Sequence, residues 1–576
     1  MKFKIGNKFL TVETNPKFGE TVKLKTCGAS IYLSRSKGLS TFICPLQVEF
    51  LRNFIITFDL NHLGLNNLFN HCIQRDRYYA GIMRECNYYR DNPNVPTPID
   101  EMGSFAQGMR HAQKVSLYAS LCIPRFGLFL DRGIGKSKVI IDNLTLRILY
   151  GKVKRILIVC PRLNVFNTWL PEIKKHSKIK NLSVTTIVGG KDDKIKMLTN
   201  ESRGTYIHVM TYDAMRDYID LLGTYDILLF DESKALGGDS QRSLAAFQLS
   251  ARASYVIMAT GTVNTLKTMS DVFYQYKAMD LGATFGLKYQ DFQEQYFMDV
   301  GIHFPRWVLK KGSLEVSRAK MFSIAISYKK SECLDLPPRT IKNVEIAPNR
   351  FQTMFMNAFV DGLSIMNPHT EIKKFFDKKG IDYCKEAQAI SDAIPFSKII
   401  KLQEITSGFY IAFTDPSKTA HHFNSSKFDA LVDTLSTIGD EKVIVWCRFI
   451  HDIEAIAELL KKKKIKSCLV HGRKDEVKKW QKSKSINVLI GMESVGKGLT
   501  LNEAAYMIYY SYDNFLEHWN QSIDRNYRSG QTRNTTVYII QVKNSVDQAV
   551  IHALNSNETF SKKLTDYKFK RIARGK

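Results

Sequence analysis

The chain has 576 residues, a length that suits about three or four structural units. It is 44% hydrophobic and 24% charged, without an apolar run of membrane-spanning length or an apolar leader at its start, so neither a membrane span nor a secreted product is expected. Lys and Arg total 83 against 56 Asp and Glu, and the net charge of +27 favours a polyanionic partner such as nucleic acid.

Residues 1–103 mix short strands with amphipathic stretches. Residues 3–12, 21–25, 31–34 and 41–45 read as strands, and residues 46–58 and 71–89 as helices. A Pro/Asn-rich linker follows at 91–98. This is expected to be a small α+β accessory domain that selects the substrate. Its second helix interleaves Arg75, Arg77, Arg84 and Arg90 with Tyr78, Tyr79, Tyr88 and Tyr89, a pattern that fits either stacking on nucleic acid or a packed helix with a basic outer face. The ten cysteines are scattered without a C-x-x-C. They read as reduced, structural thiols of a cytoplasmic protein, in a host cytoplasm if the chain is viral. The early Cys27, Cys44, His62, His71, Cys72 and Cys86 fit no usual zinc spacing.

From residue 104 the pattern changes. Val/Ile/Leu runs at 127–130, 155–160, 184–188, 208–211, 227–230 and 254–259 alternate with helical stretches, the mark of a parallel sheet covered on both faces. A second series lies at 442–446, 466–471, 487–491, 506–510 and 535–541, with a mainly helical stretch between. The fold class is therefore α/β, with two parallel-sheet lobes and helical insertions. The expected divisions are a first lobe at 104–290, insertions and connection at 291–425, a second lobe at 426–560 and a basic tail at 561–576.

The strongest local signal is Leu128-Phe-Leu-Asp-Arg-Gly-Ile-Gly-Lys-Ser137. A buried strand runs into a Gly-rich turn and then a helix. Gly133 and Gly135 let backbone N–H groups face phosphate oxygens, Lys136 suits the β- and γ-phosphates, and Ser137 suits Mg²⁺. Leu130 occupies the first Gly position of the full phosphate-loop pattern. Downstream, the strand of Tyr225-Asp-Ile-Leu-Leu-Phe-Asp-Glu ends in an acid pair, of which Asp231 suits the metal and Glu232 the attacking water. ATP and Mg²⁺ are the expected cofactors. Arg525 and Arg528, three apart on an expected helix, share a face and suit a transferring phosphoryl group. They fall in the second lobe, so turnover is expected to require the lobes to close.

These motifs, in this order, resemble the Swi/Snf-like ATPases of helicase superfamily 2, especially compact phage and bacterial members. Gln113 resembles the adenine-reading Gln, and Ile156-Leu-Ile-Val-Cys-Pro-Arg with Leu163 to Trp169 resembles motif Ia. Thr211-Tyr212 resembles motif Ib, Asp231-Glu-Ser-Lys234 motif II, and Thr260-Gly-Thr-Val-Asn264 motif III. Val443-Ile-Val-Trp-Cys-Arg-Phe449 resembles motif IV, and Ser494-Val-Gly-Lys-Gly-Leu-Thr500 motif V. Gln521 to Gln531 matches the Q-x-x-x-R-x-x-R-x-G-Q form of motif VI through Gln521, Arg525 and Arg528. Lys234, Val263 and Leu266 depart from the usual forms. The resemblance implies two RecA-like lobes and an ATP-driven translocase on double-stranded DNA that remodels branched or forked DNA or DNA-bound protein. It also implies nucleic-acid contacts at Arg162, Asn164, Thr211, Arg448, His471 and Ser494. Trp169 suits either DNA or the core. A replication, recombination or transcription protein is a possible partner. A strand-separating helicase is a competing reading. So is a non-catalytic DNA- or RNA-polymerase-binding scaffold, against which the intact Lys136, Asp231, Glu232, Arg525 and Arg528 argue.

Overall fold

The computed structural model describes residues 2–5, 9–14, 30–36, 39–58, 63–151, 153–162, 165–179, 182–199, 204–261, 269–301, 304–365, 367–493, 501–528 and 530–556. Two compact units divide the chain, Met1–Leu334 and Asp335–Lys576.

The first unit begins with four antiparallel strands, β1 (Lys2–Ile5), β2 (Phe9–Thr14), β3 (Ser30–Ser36) and β4 (Leu39–Pro45), in the order β1-β2-β4-β3. The run expected as one strand at 3–12 is thus a pair, with Ile5 opposite Leu10. The strand expected at 21–25 lies outside the described residues. Two helices follow, α1 (Val48–Thr57) and α2 (Leu63–Asp91). Val12, Leu51, Phe54, Leu65 and Cys72 form a small core, while Ile82, Met83 and Cys86 of the same α2 enter the main core. Arg90 stands over the Tyr328 ring at 4.5 Å and donates to Ser327 O at 2.6 Å. The Pro-rich stretch therefore follows a helix already fastened to the unit, and it does not join two separate bodies.

The centre of this unit is a seven-stranded sheet. Its strands are β5 (Arg125–Leu130), β6 (Arg155–Cys160), β7 (Ser183–Thr186), β8 (Tyr206–Thr211), β9 (Ile227–Asp231), β10 (Tyr255–Ala259) and β13 (Ala325–Tyr328). A small hairpin of β11 (Phe297–Asp299) and β12 (Trp307–Leu309) precedes β13. The order is β13-β5-β10-β9-β6-β8-β7, and every neighbouring pair is parallel. All five residues of β9 are buried, as a strand covered on both faces requires. Arg147, on the helix Lys136–Gly151, donates to Ser120 O at 2.8 Å and stacks over Tyr255 at 3.7 Å.

The second unit repeats the plan with β14 (Arg339–Ile346), then, after a small hairpin of β15 (Phe409–Ile411) and β16 (Ala420–His422), β17 (Val443–Cys447), β18 (Ser467–His471), β19 (Lys474–Asp475), β20 (Val488–Met492), β21 (Tyr506–Tyr509) and β22 (Thr535–Val542). The order is β14-β22-β21-β17-β20-β18-β19; only the β18–β19 pair is antiparallel. The stretch expected as mainly helical at 291–425 thus also supplies an edge strand to each sheet, β13 and β14. Its helices Arg350–Asp361, Thr370–Lys378 and Tyr383–Asp392 build an aromatic cluster in which Phe355 lies 5.1 Å from Tyr410. Among the described residues no helix is long and apolar enough to cross a membrane.

Lys427 and Asp547 form an ion pair of 2.7 Å at 1% and 2% side-chain exposure, joining the helices Ser426–Ile438 and Val546–Asn555. Lys427→Met leaves the Asp547 charge buried and unmatched, and should destabilise the second unit by about 3–5 kcal/mol in urea unfolding. Lys427→Met with Asp547→Leu should recover most of that loss.

Candidate functional site

In the first unit three adjacent strands end together, with Ala259 of β10 level with Leu128 of β5 on one side and Asp231 of β9 on the other. This C-terminal edge is where open parallel sheets hold ligands. Beyond β5 the loop carries Gly133 at φ +88° and Gly135 at φ +100°. Gly135 is required twice, because a Cβ there would also lie 2.1 Å from Gln113 Nε2. The Gln113 amide donates to Ile134 O at 2.7 Å and accepts from Arg110 N at 2.9 Å. Gln113 therefore braces the loop while keeping one amide hydrogen for a ligand.

The helix Lys136–Gly151 starts at the loop's end, so its first N–H groups have no intrahelical partners. Lys136 Nζ lies 3.7 Å from Asp231 Oδ1, and Arg132 Nη2 lies 4.0 Å from Glu232 Oε1. Two cations of the loop thus face the two acids at the strand end. The indole of Trp169 donates to Asp231 Oδ2 at 3.1 Å, and the Tyr212 hydroxyl donates to Asp231 O at 2.8 Å. Glu232 takes a left-handed backbone at φ +50°, which bends the chain directly after the strand. Gly261 presses on Arg132, where a Cβ would meet Cγ at 2.9 Å. The rest of motif III, including Val263, Asn264 and Leu266, lies outside the described residues.

A nucleoside triphosphate with a divalent cation fits this donor set. Helix-end amides and Lys136 match phosphate oxygens, while Ser137 and Asp231 supply the hard oxygens Mg²⁺ prefers.

In the second unit the ends of β21, β17, β20 and β18 bring Asp513, Arg448, Glu493 and His471 to one edge. Arg448 donates to Gln403 Oε1 at 2.6 Å and lies 3.9 Å from Asp513 Oδ1. Burial draws its pKa down, against the nearby Asp513 charge. It is committed inside the unit and positions the edge. Glu493 accepts from Asp513 N at 2.8 Å and from Ser522 Oγ at 3.0 Å, linking β20 to the helix Leu516–Ile523. Burial pushes the Glu493 carboxyl up to about 8.

The helix expected to carry both motif VI arginines ends at Ile523. Asp524 to Arg528 form a bend, and Arg339 secures it by contacting Asp524 Oδ1 at 3.4 Å and standing over Tyr527 at 4.5 Å. A shared helical face is therefore not what relates Arg525 and Arg528. Arg525 and Gln521 are buried, and Arg528 is half-buried with its Nε donating to Asp524 O at 3.2 Å.

The expected nucleic-acid residues meet different fates. Arg162 is exposed beyond β6. Thr211 caps the helix Tyr212–Asp217, accepting from Ala214 N at 3.1 Å. His471 is half-buried, while Asn164, Ser494 and the basic tail lie outside the described residues. Trp169 is core, at 1% exposure. Sequence reasoning missed the Trp169 and Tyr212 grip on Asp231, the Arg132–Glu232 pairing and the role of Glu493. Only Arg132 offered a signal, as a second cation within the Gly-rich loop.

Trp169→Phe keeps an aromatic ring, though a smaller one, and removes the donor to Asp231; it should lower the kcat for ATP by about tenfold in steady-state assays, the scale of one charge-assisted hydrogen bond. An unchanged kcat would show that Asp231 holds its place without the indole. Glu493 binds a proton more tightly in the folded than in the unfolded chain. Its contribution should therefore make the second unit less stable as pH rises from about 4.5 to about 8, and Glu493→Gln should flatten that slope in pH-dependent melting.

Comparison with known proteins gives two family matches, the SNF2-related domain over residues 99–393 and the helicase conserved C-terminal domain over residues 426–530. "Putative protein p41" of Acyrthosiphon pisum secondary endosymbiont phage 1 is 23% identical over 76% of this chain and 93% of its own length. The "Uncharacterized ATP-dependent helicase MG018" of Mycoplasma genitalium is 26% identical over 34% of this chain, which spans 19% of that protein. The "Chromatin-remodeling ATPase INO80" of Neosartorya fischeri is 26% identical over 38% of this chain, which spans 13% of it. Among solved structures, the Sulfolobus solfataricus SWI2/SNF2 ATPase core in complex with dsDNA overlays with a TM-score of 0.37 and 17% identity, covering 81% of this chain and 97% of that one.

Proposed function

The chain belongs to the SNF2-related family of helicase superfamily 2 and is an ATP hydrolase, and from that premise we propose a DNA-stimulated motor that translocates on double-stranded DNA. Its work is to remodel branched or forked DNA, or protein bound to it, in the cytoplasm, that of a host if the chain is viral. The observation that carries the reading is the strand-end site, where Lys136 opens a helix 3.7 Å from Asp231 and beside Glu232.

Lys136 and the first amides of its helix bind and orient the phosphates. Ser137 and Asp231 would hold Mg²⁺, which supplies charge neutralisation across the phosphates when bound. Trp169 fixes the Asp231 carboxylate for that task. Glu232 orients the attacking water and takes its proton at a carboxylate oxygen. Gln521, Arg525 and Arg528 are the candidate partners of the transferring phosphoryl group. Residues 1–103 are the candidate substrate-selecting element. The net charge of +27 supports binding through the phosphate backbone with little reading of sequence.

Lys136→Ala and Glu232→Gln should each lower DNA-stimulated kcat by about 10² or more, the scale of lost electrostatic preorganisation. Near wild-type turnover in either would remove the site assignment. Duplex affinity should fall steeply with salt, with a log–log slope of several units if about six to ten phosphates are contacted. A flat response would contradict backbone-dominated binding.

A further inference from the structure

The hairpin β11–β12 leaves the first unit's core between the helix Tyr289–Tyr296 and the helix Ser313–Met321. Its root is apolar, for Phe297 and Leu309 pair across the strands and pack on the core. Lys310 fastens it further, donating from Nζ to Glu294 O at 2.6 Å and from its backbone N to Tyr296 O at 2.9 Å. Farther out the apolar residues lose their cover. Phe304 is 84% exposed and Trp307 38%, with Met298 and Val300 also exposed. Arg306, Lys310 and Lys311 are exposed alongside them.

This outer part is nevertheless built. Asp299 Oδ1 accepts from Gly301 N at 2.9 Å and from Arg306 N at 2.7 Å, and Val300 N donates to Arg306 O at 2.9 Å. A Cβ at Gly301 would fall 1.8 Å from Phe304 O, so only glycine fits. Two acids of this region are engaged: Asp299 holds the backbone, and Glu294 accepts from Gln290 at 2.9 Å. What faces solvent is thus two aromatic rings beside Arg306 and Lys311, with Asp299 bracing the backbone at Gly301 and Arg306. Holding them so lowers the entropy lost on binding.

We infer that this hairpin docks unpaired nucleotides beside a duplex, with Phe304 and Trp307 stacking on bases while Arg306 and Lys311 meet the adjoining phosphates. The inference rests on the nucleic-acid reading above. It gives that reading a substrate class, a junction between duplex and single strand. Rings and guanidinium together suit bases and phosphates in alternation, since each base offers a π-face whatever its sequence. A purely apolar partner would leave Arg306 and Lys311 unmatched.

The test uses the full chain with two probes, a DNA fork carrying 2-aminopurine in the unpaired arm next to the junction, and a blunt linear duplex. The wild-type chain should change the 2-aminopurine fluorescence on binding. Phe304→Ala and Trp307→Ala should each abolish that change and weaken fork binding by about tenfold, as loss of one stacked base implies. Linear-duplex affinity and duplex-stimulated ATPase should stay within about twofold of wild type, and Phe304→Tyr should retain the fluorescence change. An unaltered signal in Phe304→Ala, or equal weakening on both probes, would overturn the inference. So would sedimentation showing a wild-type dimer that Phe304→Ala dissolves, for then a second copy of the chain covers the rings. Duplex-stimulated ATPase with a ring-independent fork signal removes the hairpin role alone. A ring-dependent signal without any DNA stimulation removes the motor reading alone, and absence of both signals in wild type removes both.

Discussion

Two acids in succession at the end of a fully buried strand set the terms for the first unit. Asp231 and Glu232 repel one another, and their desolvation is costly unless cations or donors face them. The structure supplies both from one loop, with Lys136 toward Asp231 and Arg132 toward Glu232. The left-handed turn at Glu232 separates the two carboxylates onto those different partners. The loop is held in return by Gln113 and by the close approach of Gly261 to Arg132. The parallel register of β5, β10 and β9 makes this arrangement possible, since it levels the ends of three strands that are far apart in sequence.

The second unit applies similar chemistry to a different end. Its strand edge holds Glu493, Arg448 and Asp513 in one network, extended by His518, which bonds Asp513 Oδ2 at 2.6 Å. Burial works against the Asp513 charge, but the His518 hydrogen bond and the Arg448 charge hold its pKa below the usual range. Glu493, without such close cations, is driven the other way. One carboxyl kept charged and one kept protonated can share a hydrogen-bonded edge without repulsion. The Glu493–Ser522 hydrogen bond ties the strand end to the motif VI helix.

Much of this was legible in the sequence because the parallel sheets announce themselves. Continuous apolar runs such as Ile227-Leu-Leu-Phe230 are hard to bury any other way, and the Gly-rich turn with a following Lys-Ser fixes which strand bears the loop. The edge strands β13 and β14 were not legible. Edge strands need only one partner and tolerate polar alternation, so Thr340 to Glu345 reads like connecting chain. The motif VI helix was overextended because periodicity does not record a tertiary stop; Arg339 and Tyr527 provide one through contacts from distant sequence. Trp169 illustrates a further limit. Its position marks it as core or contact, while its actual task depends on where a single indole N–H points.

The charged residues also divide by role in a way the total of +27 conceals. Arg448, Arg147, Arg125 and Lys427 are spent inside the units, on carbonyls, rings and buried acids. A buried guanidinium satisfied by backbone carbonyls, as Arg125 is by Met279, Ser250 and Ala253, organises the fold and offers little to a long-range polyanion. Attraction to a phosphate backbone must come from the cations left outside, among them Arg162, Arg306 and Lys311. Net charge is therefore a guide to the class of partner, while the place of contact follows from which cations the fold has not already used.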